Sequence, residues 1–167
     1  MGSTQGVNIA LEHSSPKFEL GTFARNPANP AQTVCYIQAD DAVVAKNALT
    51  RDYAAGGSGA AASVPFLVTT TSAVAQAVVG ISEIAITAGY YAWIVVRGPV
   101  TGVNVASSVA AGETLVTTAT AGRLDDHVST ATNPSDADHD ALTASTGGAS
   151  VVATSAESSN AANVILV

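Results

Sequence analysis

The sequence is poor in charged residues, aromatic residues and cysteine. Charged residues make up 11% of the 167 residues, aromatic residues make up 5%, and Cys35 is the one cysteine. Because charged residues usually account for about 25% of a globular chain, Ser, Thr, Asn and Ala must fill many solvent-facing positions here. Such a surface costs less to desolvate than one covered with Lys and Glu, which suits a protein that works in a large assembly. A single cysteine also excludes an internal disulfide framework.

Positive charge is scarcer still, since six Lys and Arg residues stand against 13 Asp and Glu residues and the net charge is -7. Nucleic-acid binding needs clustered cations that displace phosphate counterions, so we expect no nucleic-acid partner, and the negative charge also disfavours anionic membranes. No apolar run approaches the ~20 residues of a membrane span. Residues 1–15 lack the basic and apolar regions of a secretory signal. We therefore expect synthesis in a reducing cytoplasm and use there, or export inside a particle.

What the chain does contain is the pattern of short β-strands. Residues 90–96 are apolar at successive positions, so this strand is either central in the fold or covered by a partner. We expect it to end at Gly98-Pro99, to follow a turn at residues 87–89, and to be preceded by a β-bulge near Ser82. Further strands are expected at residues 32–38, 42–49, 103–105, 113–118, 150–154 and 163–167. No stretch sustains a helical period, so the sequence predicts an all-β fold, a compact barrel or sandwich of short antiparallel strands.

The organisation of the chain follows from its prolines and polar stretches. Residues 1–30 have no sustained period and carry three prolines, which predicts an extended N-terminal arm. Residues 31–167 are expected to form a single β-barrel or sandwich domain of ordinary size. Residues 54–61 have the composition of a flexible loop, and residues 125–148 that of a polar loop insertion.

A weak internal repeat supports the β prediction. Three segments find a counterpart at an offset of about 72 residues, and these are 39–44 with 111–116, 77–82 with 150–155, and 94–96 with 165–167. We interpret the matches as two related β units that close on one another and so shelter the edges of the sheet.

Two segments invite a ligand-binding interpretation. Residues 125–127 and 136–140 contain Asp and His, which can bind a divalent ion, but they match neither the EF-hand spacing nor the HExxH pattern. A solvated acidic loop is therefore favoured over a metal site. The glycine-rich residues 56–59 lack the Lys-Ser/Thr pair and the helix of a phosphate-binding loop. We expect no metal ion and no cofactor.

The sequence also contains no recognisable set of catalytic residues. Cys35 lies inside an expected strand, where a small buried side chain is its usual role. No Gly-x-Ser-x-Gly motif is present, and Glu83 and Glu113 have nothing in the sequence that pairs them as acid and base. We therefore expect that the protein is not an enzyme.

The aromatic residues Tyr90, Tyr91 and Trp93 would suit a sugar-stacking platform, but they lie in the most apolar strand. A position in the core or in a subunit interface is favoured. The residues that we expect to contact a partner are Phe18, Leu20, Phe23 and Arg25 in the arm, and Tyr90 and Tyr91 in the strand.

Several motifs of the chain resemble the small β-barrel capsid decoration (cement) proteins of tailed bacteriophages. The motifs are residues 79–81, 88–98, 111–115 and 120–124, together with 20–22 and 36–39 near the start. They are turns and strands, and the resemblance covers about residues 18–124 and the last strand. The polar segment 125–148 departs from the compact pattern of that family.

The resemblance implies a structural virion protein on the capsid exterior, made in the host bacterial cytoplasm. It would bind the outer surface of the major capsid protein lattice, often as a homotrimer, and stabilise the head. Many weak identical contacts add up on a symmetric lattice, and an extended arm would add contact area. Two alternatives remain, namely another virion β module of a tail, baseplate or fibre, and a carbohydrate-binding or adhesion domain.

Overall fold

A computed structural model describes residues 6–52, 66–71, 77–106, 109–118, 120–126 and 151–167. These residues contain no helix, and their strands belong to one mixed sheet. The all-β prediction is confirmed. The strands are β1 (Glu12–His13), β2 (Phe23–Asn26), β3 (Asn29–Ala39), β4 (Ala48–Arg51), β5 (Leu67–Thr70), β6 (Val78–Ile81), β7 (Tyr91–Asn104), β8 (Thr114–Thr117), β9 (Leu124–Asp126), β10 (Val151–Ala153) and β11 (Ala161–Leu166).

The centre of the fold is the antiparallel pair of β3 and β7. Trp93 and Val95 point into one core cluster, and Ala92 and Ile94 into a second cluster on the opposite face. All four side chains are almost completely buried. The strand that is apolar on both faces is therefore central in the fold, as one of the two interpretations of its sequence held.

The strand does not end at Gly98-Pro99, and the sequence-based expectation is wrong here. β7 runs on to Asn104 because it changes partners at this point, from β3 to β11. Gly98 has a φ of +102°, and a Cβ atom there would lie 2.3 Å from the carbonyl oxygen of Ala31. A glycine is what allows the bend and the close approach, and Pro99 then lies opposite Ile165.

The strand pairings form two closed circuits. The first circuit runs β3-β5-β4-β6-β7 and back to β3, and the second runs β7-β11-β10-β8-β9. The second circuit is closed by a bridge between Leu124 and Val105, just beyond β7. β6 meets β7 through the single pair Ile81–Val95, so neither circuit is a regular barrel. The expectation of short antiparallel strands also needs correction, because β3 and β7 are long and β3 pairs with β5 in parallel.

The two circuits repeat one plan. β4, β5, β6 and β7 pair in the same order and sense as β8, β9, β10 and β11. A turn precedes β4 and β8, and its third residue has a positive φ, 66° at Lys46 and 93° at Gly112. The amide of Lys46 donates to the carbonyl of Ser82, and that of Gly112 to the carbonyl of Ala153. The two related β units suggested by the sequence are present, and they are joined where β11 pairs with β7.

The residue-by-residue matching of the repeat was partly wrong. The sequence pairs residues 39–44 with 111–116, but the counterpart of the turn at Gly112 is the turn at Lys46. In the other two matches the segments belong to corresponding strands, shifted by one or two residues along them. Small apolar residues fill most of these positions, so their identities do not define a register.

Two local expectations also fail. The strand expected from residue 42 begins only at Ala48, because residues 44–47 form the turn. No β-bulge occurs at Ser82, where β6 has already ended, and the register shift of this region lies earlier, between the pairs Thr50–Val78 and Leu49–Gly80. The Ser82 amide donates to Asn47, and its hydroxyl donates to Val44 over 3.1 Å, so this residue secures the turn instead of continuing the strand. The turn at residues 87–89 is present, with Gly89 at a φ of +79°.

The N-terminal residues lie on this framework. β1 pairs with β7, and β2 pairs with β3. Phe18 and Leu20 pack against the first core cluster. Of the polar segment 125–148, Asp125 and Asp126 belong to β9, and the remainder lies outside the described residues, as do residues 54–61.

Candidate interaction surface

The six residues expected to contact a partner fall into two groups. Four are partly buried within the chain itself, and these are Phe18, Leu20, Tyr90 and Tyr91. Two remain exposed, and these are Phe23 and Arg25 on β2. The ring of Tyr91 stacks on that of Tyr36 with the centroids 6.3 Å apart, so the tyrosine is engaged in the core. The structure thus leaves Phe23 and Arg25 exposed on one strand, whereas the other four are partly buried.

β2 is an edge strand, since β3 is its partner among the described residues. Phe23 and Arg25 alternate with less exposed neighbours and therefore share one face of the strand. Phe23 keeps 61% of its surface exposed. The guanidinium of Arg25 donates to the carbonyl of Pro30 over 2.9 Å, which orients it along the β2–β3 connection.

An apolar pocket lies beside Phe23. Its volume is about 100 Å³, and it is lined by Phe23, Cys35, Ile37, Arg51, Phe66, Val68, Val79, Ile94 and Val96. The guanidinium carbon of Arg51 lies 4.3 Å from the centroid of the Phe66 ring. Phe23 meets the same ring edge-on, with the centroids 6.5 Å apart. Phe66 therefore links the exposed phenylalanine with the arginine.

The backbone around the pocket holds Phe66 in place. Gly21 has a φ of +82°, and a Cβ atom there would lie 2.1 Å from the Phe66 ring. Its amide donates to the carbonyl of Tyr36 over 2.8 Å. Phe66 itself has a φ of +61°, which is rare for a bulky side chain. The ring lies where any residue other than glycine at position 21 would collide with it.

Arg51 is the charged residue in the lining of the pocket. The ion pair among the described residues is formed by Lys46 and Glu83, and no described carboxylate lies within 4.0 Å of Arg51. Burial raises the pKa of the Cys35 thiol to about 11, although the charge of Arg51 opposes the shift. The thiol is therefore protonated at neutral pH and is a poor nucleophile.

A second group of charges lies where β3 and β4 end. The pKa of Asp40 is raised by burial, by a hydrogen bond from its side chain to that of Asp52, and by the charges of Asp52 and Asp41. The hydroxyl of Thr69 donates to the Asp41 carboxylate over 3.4 Å. No group of three or more His, Cys, Asp or Glu side chains suited to a metal ion occurs in the part of the chain that the structure describes.

The other candidate residues from the sequence lie in the core, in an ion pair, or on the surface. Trp93 is 1% exposed, so it belongs to the core and offers no sugar-stacking face. Glu83 is paired with Lys46, and Glu113 is exposed beside the turn before β8. Asp125 is buried in β9, whereas residues 127, 136–140 and 56–59 lie outside the described residues. No helix in the described ranges is long and apolar enough to cross a membrane.

Sequence reasoning missed Gly21, Arg51 and Phe66 as parts of this surface. Arg51 and Phe66 stand on either side of a glycine-rich segment, and pairing of Arg51 with Val68 brings them together. The one sequence signal was the scarcity of phenylalanine, since two of the three in the chain, Phe23 and Phe66, border the pocket.

No protein-family model and no curated protein matches this chain.

Proposed function

We propose that this chain is a structural virion protein that decorates and stabilises a tailed-phage head by binding the outer surface of the major capsid protein lattice. The observation that carries the proposal is the run of residues 79–124 that resembles the capsid decoration proteins. The role is one of binding and stabilisation, without catalysis.

The conformations within that run support the proposal. Its three Ala-Gly pairs each supply a turn residue with positive φ, and these are Gly89, Gly112 and Gly122. Each turn leads into a strand of the sheet, and the strand after Gly89 is the central strand β7. The resembling residues therefore lie in turns and strands of the sheet.

The surface is also suited to assembly. Only 11% of the residues are charged, so docking on a lattice removes few ions from water. Phe23 and Arg25 on the exposed face of β2 supply an apolar contact and a cation. Repetition of a modest contact over a symmetric lattice gives tight overall binding, and a trimer would engage three equivalent positions at once.

The direct test mixes the purified full chain with undecorated heads and examines them by cryo-electron microscopy. We expect ordered density at symmetric positions on the outside of the head. Absence of binding to heads would refute the proposal, and binding to tails alone would assign the chain to another virion structure. Mass measurement in solution reports whether a trimer forms before docking.

Deleting residues 1–30 is a poor test of the contact surface, because Glu12, His13 and Phe18 stabilise the domain itself. Substitution on β2 is cleaner. We expect the double variant Phe23→Ser, Arg25→Ser to remain folded and to occupy fewer sites on heads. Val44→Ser is the matched control, since Val44 is 62% exposed in the turn before β4, and it should leave occupancy unchanged.

A further inference from the structure

The repeated plan of the fold allows each residue of one unit to be compared with its counterpart in the other. Arg51 pairs with Val68 in the first unit, and Thr117 pairs with Leu124 in the second. In each unit the residue two positions before the paired apolar side chain has a positive φ, which is +61° at Phe66 and +75° at Gly122. Phe66 therefore corresponds to Gly122, and Arg51 corresponds to Thr117.

This correspondence shows which residue types the repeated strand pairing requires. The second unit makes the same strand pairing with a glycine at the position of positive φ, and glycine adopts that conformation without steric cost. The first unit uses a phenylalanine there, for which that conformation is unfavourable. Phe66 packs against the second core cluster, but the second unit folds without such a ring, so the strained backbone at Phe66 points to a further function for its side chain.

The Phe66 ring and the Arg51 guanidinium are present in the first unit and absent from the corresponding positions of the second. They border a pocket of about 100 Å³ whose other lining residues are apolar, apart from the protonated Cys35 thiol. Apolar cavities of this order of size accept small hydrocarbon groups. Arg51 is half-buried and stacked on Phe66, and it forms no ion pair within 4.0 Å with a described carboxylate. The pocket thus offers space for an aliphatic group, with the Arg51 cation beside it.

From this geometry we infer that the pocket bordered by Phe23, Arg51 and Phe66 binds a branched aliphatic side chain of the capsid subunit that is accompanied by a carboxylate. The aliphatic group enters the pocket, and the carboxylate accepts hydrogen bonds from the Arg51 guanidinium. The identity of the partner rests on the proposed function. The chemistry of the pocket does not depend on the proposed function, so the pocket chemistry and the identity of the partner are tested separately.

The pocket chemistry is tested with a small probe. 4-Methylpentanoate carries an isobutyl group and a carboxylate, and 4-methylpentanamide has the same shape without the charge. We expect the acid to shift the methyl NMR signals of Val68, Val79 and Ile94 in the isotopically labelled full chain, and the amide to bind about tenfold more weakly. Signals of Val164 and Leu166 in the second unit should not move.

Two variants test whether Arg51 and Phe66 are the residues that bind the probe. Arg51→Gln should weaken binding of the acid about tenfold and leave binding of the amide unchanged. Phe66→Gly copies the second unit, so we expect it to fold, to give a methyl spectrum of a packed core, and to lose the probe-induced shifts. The inference is overturned if the acid moves no pocket methyl signal at about 20 mM, a concentration well above a millimolar Kd, or if acid and amide bind equally.

Head binding then tests the partner. If the natural chain binds heads and both Arg51→Gln and Phe66→Gly lose at least half of its occupancy, the inference holds. If the natural chain binds heads and both variants bind equally well, the inference is wrong and the proposed function stands. If the natural chain does not bind heads, the proposed function fails together with the identity of the partner, while the probe titration still decides what the pocket accepts.

Discussion

The ring of Phe18 meets the indole of Trp93 edge-on, with their centroids 5.0 Å apart and their planes at 61°. Phe18 also meets the ring of Tyr36, at 5.1 Å. Trp93 and Tyr36 are both buried, and they lie directly opposite each other in the central pair of strands, β7 and β3. The contact therefore ties the N-terminal segment to the middle of the sheet, and it makes that segment part of the core.

The first prediction concerns this contact. Phe18→Ala should lower the free energy of unfolding by about 2–4 kcal/mol, because it removes a partly buried ring from an aromatic cluster and leaves a cavity. Phe23→Ala is the matched control and should cost less than about 1 kcal/mol, since Phe23 is 61% exposed. Denaturant titration measures both variants. Equal losses would contradict the burial of Phe18.

The second prediction compares two glycines in similar turns. A Cβ atom at Gly122 would lie 2.2 Å from the side-chain amide of Asn47, whereas one at Gly112 would meet nothing within 4 Å. Asn47 cannot move aside cheaply, because it is buried and accepts a 2.7 Å hydrogen bond from Asn104.

Both residues have a positive φ, so Gly112→Ala should cost about 1–2 kcal/mol from the backbone alone. Gly122→Ala should cost a further 1–3 kcal/mol or so from the collision. Thermal unfolding of the two variants, side by side, checks the difference. A smaller loss at Gly122 than at Gly112 would show that Asn47 gives way.

The third prediction concerns Lys46, which has a φ of +66° and pairs with Glu83. Lys46→Gly and Lys46→Ala both remove the ion pair, but glycine accepts the left-handed conformation and alanine does not. We expect Lys46→Gly to be more stable than Lys46→Ala by about 1 kcal/mol. This is the reverse of their order in a helix or strand. Chemical denaturation gives the order, and alanine above glycine would argue against the turn.

The fourth prediction concerns pH. The pKa of Asp40 in the folded chain is raised above its usual 3.8, first by burial and then by its hydrogen bond and charge interaction with Asp52. The folded state therefore holds the proton more tightly than the unfolded state, so this group favours folding most below its usual pKa. That contribution is lost as the pH rises through the raised pKa.

Asp52→Asn removes the neighbouring charge and should lower the pKa of Asp40. The variant should therefore gain stability relative to the natural chain as the pH rises from about 3.5 to 7. Asp41→Asn should give a smaller gain, because the charge of Asp41 is the smallest contribution to the shift. Unfolding midpoints measured across this range test the sign. A gain that shrinks with rising pH would contradict it.

Much of the strand pattern was predictable, because it depends on neighbours along the chain. The alternation in residues 90–96 correctly assigned opposite faces to Trp93 and Ile94. The three Ala-Gly turns were recognisable because glycine is favoured where φ is positive. The expectation that the strand ends at Gly98-Pro99 is wrong. A Gly-Pro pair ends a strand only where no new partner strand is available, and the new partner here, β11, comes more than 60 residues later in the chain.

The candidate site was less predictable. Phe23 and Arg25 were recognised as contact residues, but Phe18, Leu20, Tyr90 and Tyr91 could not be distinguished from them, since composition does not tell which apolar side chains the chain buries itself. Arg51 and Phe66 carry no motif, and they become a pair only through the register of β4 with β5.

The sequence thus determined that the chain is all-β and where most of its strands and turns lie, and it suggested two related units. Those features follow from periodicity and from the φ preferences of single residues, both of which are local. The tertiary structure decided that the two units join through the pairing of β7 with β11, that the N-terminal segment packs on Trp93, and that Phe23, Arg51 and Phe66 meet around one pocket. These features depend on strand register and on pairings between distant residues, which local preferences do not encode.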